Sequence, residues 1–179
     1  MQLNDKPIGI VVMGPSGVGK TTTAQLLVNK THWQFAEADE FHPKTNKDKM
    51  AAGIPLNDED RKPWLELLRN FIDKNAQNGK NTIITCSALK RIYRDILRQT
   101  QHANIFFAEL YGPETLVAER ISHRQHAYMP ASLLDSQYAI LESLQDDESG
   151  ERFSISGSPE EITDEILKAI DYDGGDDQC

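Results

Sequence analysis

The sequence predicts an α/β fold of three layers, with a central five-stranded parallel sheet flanked by helices and a mobile lid. Three observations carry this. Short apolar, β-rich runs recur at Ile8–Met13, Trp33–Ala38, Thr82–Cys86, Ile105–Leu110 and, more weakly, Phe153–Ser156. Helical patterns separate them, and strands that alternate with helices build a parallel sheet covered on both faces. The first run leads straight into a glycine-rich turn, GPSGVGKT, and a helix follows it. Ile8–Met13 and Thr82–Cys86 show little polar alternation, as strands buried on both sides should, so both are expected centrally, with ligands at their C-terminal ends.

The turn from Gly14 to Thr21 matches Gly-x-x-x-x-Gly-Lys-(Ser/Thr), the phosphate-binding loop of the P-loop NTPase fold. Its glycines let the backbone curl until successive N–H groups point at phosphate oxygens. Lys20 reaches the β- and γ-phosphates, and the Thr21 hydroxyl is placed to ligate Mg²⁺. Gly14, Pro15, Ser16, Gly17, Val18, Gly19, Lys20, Thr21 and Thr22 are therefore the expected nucleotide-binding segment, with a nucleoside triphosphate as ligand. The helix over Thr22–Lys30 buries Ala24, Leu27 and Val28.

Alternation along the second run places Glu37 and Asp39 on one side, near the edge where a γ-phosphate would lie. A carboxylate there can orient an acceptor hydroxyl and take its proton. An acidic pair at a strand end also serves to cap a loop, and spacing alone does not separate the two roles. Asn57 to Asp60 caps a helix in which Trp64, Leu67, Leu68, Phe71 and Ile72 form an apolar stripe, with Pro63 in its first turn and Asn78-Gly79 at its end. A helix over Ala88–Gln99 is expected to bury Leu89, Ile92, Ile96 and Leu97 and to leave Lys90, Arg91, Arg94 and Arg98 on a polar side. Gly112-Pro113-Glu114 opens another helix, on which Arg120 and Arg124 share a face. An irregular excursion follows, containing His126, Tyr128 and Pro130, before a helix around Ser136–Leu144. A mobile lid is expected at about 120–135.

One domain, 1–170, is the natural reading of 179 residues with 39% hydrophobic content, which leaves room for one core and for no second large domain. Residues 171–179, DYDGGDDQC, read as an acidic tail in solvent. A net charge of −9 argues against broad nucleic-acid binding, which needs clustered Lys and Arg. Two cysteines, Cys86 and Cys179, make no disulfide framework and suit a reducing compartment. The N-terminal MQLNDKP has no signal-peptide character and no apolar run is long enough to span a bilayer, so a cytoplasmic protein without a membrane partner is expected.

Four stretches resemble the bacterial-type gluconokinases, small P-loop sugar-acid kinases related in fold to shikimate kinase and adenylate kinase. They are GPSGVGKT, DEFHPKTNKDKMAAGIPLNDEDRKPWL from Asp39 to Leu65, CSALKRIYRDILR from Cys86 to Arg98, and ERISHRQHAYMPASLLDSQYAILE from Glu119 to Glu142. The resemblance covers about Ile8 to Ile170, and its His-Pro and Pro-Leu-Asn-Asp segments are far more restrictive than the phosphate loop. It implies phosphorylation of the 6-hydroxyl of D-gluconate by ATP with Mg²⁺, and a homodimer. By position Asp39 matches the family's acceptor-site aspartate. Glu37 stands beside it as a metal-water or hydroxyl partner, although the family more often has Asp-x-Asp.

Gluconate carries a carboxylate and a row of hydroxyls, so its pocket needs a fixed cation and neutral donors and acceptors. Arg61, His42, Lys90 and Arg94 are the candidates, with Ser87 and Ala88 offering backbone groups. A loop-stabilising hydrogen bond is an equal reading of His42, and a solvated face an alternative for Lys90 and Arg94. Arg120 and Arg124 resemble the lid pair that closes over the transferring phosphoryl group. Shikimate or another sugar acid is the nearest alternative acceptor. A regulatory GTPase is a remote one, because the only string like its guanine signature, Asn46-Lys47-Asp48-Lys49, lies too early and ends in lysine.

Overall fold

In the computed structural model, which describes residues 6–122 and 131–172, the elements run β1 (Ile8–Met13), α1 (Lys20–Thr31), β2 (Gln34–Glu37), a 3₁₀ turn (Ala38–Phe41), α2 (Lys44–Ala51), α3 (Asp58–Gln77), β3 (Thr82–Thr85), α4 (Arg91–Arg98), β4 (Asn104–Tyr111), α5 (Glu114–Ser122), α6 (Ala131–Ile140), β5 (Gly150–Ser154) and α7 (Pro159–Ala169). All strand pairs are parallel, in the order β2-β3-β1-β4-β5. The central position expected of β1 and the neighbouring place of β3 follow from their uninterrupted burial. β4 is equally buried along its middle and flanks β1 on the other side.

Side-chain alternation in β1 divides the interior into two cores. Ile8, Ile10 and Val12 join Ala24 and Leu27 of α1, Val117 and Ile121 of α5, and Ile162 and Ile166 of α7. Val11 and Met13 face the opposite way, onto Trp64, Leu65, Leu68 and Ile72 of α3 and Tyr93 and Leu97 of α4. α3 starts on a capping box in which Asn57 accepts from the Asp60 amide and Asp60 accepts from the Asn57 amide. Pro63 falls at the sixth helical position, a turn later than expected, so the bond its missing N–H would have made is lost.

Other differences have physical causes. α2 is expected nowhere in the sequence reading because it has no apolar stripe; only Asn46 of its residues is buried. β5 begins three residues before the expected run, since Gly150 at φ 155 brings the backbone so close that a Cβ would stand 2.2 Å from the Phe107 carbonyl oxygen. α6 starts and ends earlier than the expected Ser136–Leu144. α4 starts at Arg91 because Ala88 takes a left-handed φ of 45 and Lys90 is extended. Its polarity is the reverse of that expected at two positions, with Ile92 half exposed and Arg94 fully buried.

Arg94 is buried because it has a partner far along the chain. Its Nε and Nη2 donate to the two carboxylate oxygens of Glu148 at 2.7 and 3.0 Å, and Nη1 donates to the Ala88 carbonyl at 2.8 Å. Arg98 reaches the same carboxylate, which also accepts from the Gln145 amide at 2.9 Å. Glu109, buried on β4, accepts from the Leu144 amide at 2.7 Å. These bonds tie the segment between α6 and β5 to α4 and β4. Tyr172, within the stretch expected as a solvated tail, instead packs edge-on against Trp33 with ring centroids 5.6 Å apart; residues 173–179 lie outside the described residues. No helix among the described residues is long and apolar enough to cross a membrane.

Candidate active site

Residues from the C-terminal ends of β1, β2 and β3 converge on one cleft of about 860 Å³. Ser16, Gly17, Gly19, Lys20 and Thr21 line one side of it, and Glu37, Asp39, His42, Arg61, Trp64 and Ser87 the other. The loop has the geometry its glycines foretell. Gly17 has φ 87, and a Cβ there would meet Ile121 Cγ1 at 2.6 Å, so neither the conformation nor the space admits a side chain. Gly19, at φ 96, precedes the first turn of α1, whose N-terminus brings backbone amides and a partial positive charge to the loop. The Gly14 amide donates to the Ser87 carbonyl at 3.1 Å and joins the loop to the end of β3. Lys20 Nζ donates to the Gly14 and Pro15 carbonyls at 2.8 and 3.1 Å.

Gln137 of α6 also meets the loop, accepting from the Ser16 amide at 2.7 Å and donating to the Ser16 hydroxyl at 3.2 Å. Nothing local marks this residue, which is 121 positions from its partner. Thr85 is another participant without a sequence signal: its hydroxyl donates to Glu37, opposite it in the parallel register of β2 and β3.

β2 stops at Glu37, so strand alternation is not what places Asp39. The 3₁₀ turn Ala38–Phe41 carries Asp39 to the cleft, and Trp64 Nε1 fixes that turn by donating to the Ala38 carbonyl at 2.7 Å. His42 stacks on Trp64 at 4.2 Å between ring centroids and 14° between planes. Its burial pulls the imidazole pKa below the usual value, and the positive charges of Arg61 and Lys47 act the same way against the opposing influence of Asp39.

Arg61 is the cation in the wall opposite Lys20. Its Nη1 donates to the Leu56 carbonyl at 2.7 Å and to the Tyr93 hydroxyl at 3.1 Å, and its guanidinium carbon lies 5.5 Å from the Tyr93 ring centroid. Tyr93 in turn donates to Asp58 at 2.5 Å. One end of the guanidinium is thereby anchored, while Nε and Nη2 form the remaining fork.

Three other expected cations do not line the cleft. Lys90 pairs with Asp58 at 3.1 Å, and Arg94 is held by Glu148 inside the protein. Their shared helical face is lost because Lys90 precedes α4 in an extended conformation. Arg120, expected over the transferring phosphoryl group, donates to the Ile155 carbonyl at 2.8 Å. Arg124, His126 and Tyr128 lie outside the described residues. Of the expected nucleotide-binding segment, Gly14, Pro15, Val18 and Thr22 are not among the residues that line the cleft, and the Val18 side chain is part of the core. Met50 and Ile54 on one rim and Leu133 of α6 on the other are about half exposed, so the cleft mouth is apolar on both sides.

Among the described residues, no group of three His, Cys, Asp or Glu is spaced to hold a metal ion. Thr21 and Glu37 line the same cleft, which suits an ion such as Mg²⁺ that takes few protein ligands and completes its shell with water and phosphate oxygens.

The AAA domain family matches residues 10–144. A gluconokinase of Gluconobacter oxydans (strain 621H) is 41% identical over 167 residues, 93% of this chain and 93% of that protein. Among solved structures, a gluconokinase from Sinorhizobium meliloti 1021 superposes with a TM-score of 0.81 at 36% identity, covering 93% of each chain. An unliganded sugar kinase from Janibacter sp. HTCC2649 superposes with a TM-score of 0.85 at 46% identity, covering 94% of this chain and 96% of that one.

Proposed function

Since the chain belongs to the gluconokinase family, we propose that it transfers the γ-phosphoryl group of ATP to the 6-hydroxyl of D-gluconate, giving 6-phospho-D-gluconate and ADP. The observation that carries this reading is the single cleft in which the Lys20 loop faces Asp39, His42 and Arg61. Phosphoryl transfer asks a protein mainly for positioning and for charge stabilisation, and the two walls divide these tasks.

On the donor wall, loop amides and the α1 N-terminus bind phosphate oxygens, and Lys20 moves from the Gly14 and Pro15 carbonyls to the charge that builds between the β- and γ-phosphates. Thr21 and Glu37 are the residues that would hold Mg²⁺, which would supply neutralisation of phosphate charge. On the acceptor wall, Asp39 accepts the proton of the attacking hydroxyl, and the Trp64–Ala38 bond keeps its turn in place. The Arg61 fork takes the carboxylate and so fixes which end of the sugar acid points at the phosphate.

The reading includes a cytoplasmic location and a homodimer, with no nucleic-acid or membrane partner. The location rests on a sequence with two cysteines and no disulfide framework, which suits a reducing compartment; the dimer rests on the family resemblance. The test is a panel of sugar acids, shikimate and nucleoside monophosphates with ATP and Mg²⁺, scored by ADP release and by NMR of the product. Gluconate phosphorylated on O6 is expected to dominate. Faster turnover of shikimate, or ADP release that does not depend on any acceptor, refutes the proposal.

A further inference from the structure

Asn46 of α2 is buried, and its amide nitrogen donates to the Asp60 carbonyl at 2.9 Å. A backbone carbonyl only accepts, so this bond settles which end of the amide is nitrogen. The same nitrogen stands 3.3 Å from His42 Nδ1. An NH₂ group meets an imidazole nitrogen favourably only where that nitrogen offers a lone pair. Nδ1 is then the acceptor, and the single proton of the neutral ring sits on Nε2. Stacking on Trp64 keeps the ring from turning over. His42 lines the cleft, and its Nε2 has no hydrogen-bond partner among the described residues.

We propose that His42, held as the neutral Nε2–H tautomer by Asn46 and Trp64, donates a hydrogen bond to a hydroxyl oxygen of the acceptor and is a specificity-determining residue for polyhydroxylated acids. This rests on the sugar-acid reading of the cleft. A chain of relayed constraints, from carbonyl to amide to imidazole, turns a group that can donate or accept into one that donates. The charged groups around the ring are Asp39 from the 3₁₀ turn, Lys47 from α2 and Arg61 from α3. Two of the three disfavour an imidazolium, as burial does, and a proton on Nδ1 would also confront the Asn46 NH₂ group. The donor form is thus the one present at neutral pH.

The experiment uses the full chain labelled with ¹⁵N. Long-range ¹H–¹⁵N spectra at pH 7 are expected to show an unprotonated Nδ1 and a protonated Nε2 for His42, with the Nε2 signal shifted by gluconate and not by an ATP analogue. In kinetics, His42→Ala raises KM for gluconate about tenfold, the worth of one hydrogen bond, and leaves KM for ATP in place. His42→Gln, whose amide nitrogen reaches the position of Nε2, recovers most of that loss, whereas His42→Asn, which reaches only the position of Nδ1, does not. A proton on Nδ1, an imidazolium at pH 7, or a His42→Gln enzyme as impaired as His42→Ala overturns the assignment while wild-type gluconate turnover leaves the function standing. Absence of gluconate turnover in wild type overturns the function and the role of His42 with it.

Discussion

Arg61→Ala is the substitution that bears most directly on how the acid is recognised. Nη1 is already committed to Leu56 and Tyr93 at 2.7 and 3.1 Å, so the gluconate carboxylate is left the parallel pair Nε–H and Nη2–H. Hydrogen bonds to charged groups contribute about 1.5–3 kcal/mol each. The cleft is open to water, which puts the pair at the lower end, about 3 kcal/mol, or roughly 150-fold in kcat/KM for gluconate. Arg61→Lys keeps the charge and loses the fork, so about one bond, or roughly tenfold, should go. Tyr93→Phe removes only an anchor and should lie below both. The assay is steady-state kinetics with gluconate varied at saturating ATP, and then the reverse. Loss confined to gluconate supports the fork; an Arg61→Ala enzyme with unchanged gluconate kinetics, or one weakened only toward ATP, refutes it.

Asp39→Asn should lower kcat by about 10²–10⁴-fold with an unchanged melting temperature, and wild-type turnover in a folded variant contradicts its role as the proton acceptor. Arg94→Met leaves Glu148 buried with only Arg98 and the Gln145 amide; with that partial compensation the cost is about 3 kcal/mol, or roughly 6–12 °C in Tm by calorimetry. A stable Arg94→Met protein with a raised KM for gluconate would instead return Arg94 to the acceptor site. Gln137→Ala removes a competitor for the Ser16 amide and is expected to tighten ATP binding about two- to tenfold by titration calorimetry; weaker binding would show that Gln137 assists the nucleotide. Because burial depresses the His42 pKa in the folded chain, the unfolded chain takes up this proton more readily. The stability this gives is complete above about pH 6.5 and is lost as pH falls through the folded-state value. Urea unfolding at stepped pH should therefore show a steeper loss below pH 6.5 in wild type than in His42→Gln, and identical slopes would count against the depressed pKa.

What the sequence determined by itself lies where the physics is local. The glycine-rich loop needs φ values that only glycine takes easily, followed at once by Lys20 and a helix start, so eight consecutive residues specify its curled backbone without help from the rest of the chain. Strands buried on both faces announce themselves as unbroken apolar runs, and β1 and β3 are found where that rule puts them. The Asn57 capping box shows the same locality, since both partners are three residues apart.

The tertiary structure decided everything that depends on which distant residue a side chain meets. Arg61 and Arg94 are alike in sequence, each a cation near an apolar stripe. The parallel order β2-β3-β1-β4-β5 sets α3 and α4 side by side, so that Tyr93, 32 residues on, turns Arg61 into a cleft residue, while Glu148, 54 residues on, draws Arg94 into the interior. Gln137 reaches Ser16, and Trp64 reaches Ala38, by the same means. A long polar side chain has several places to put its charge within a few kcal/mol of one another. Periodicity records only that it is polar, and the choice among those places is made by partners that the folded chain alone brings within hydrogen-bonding distance.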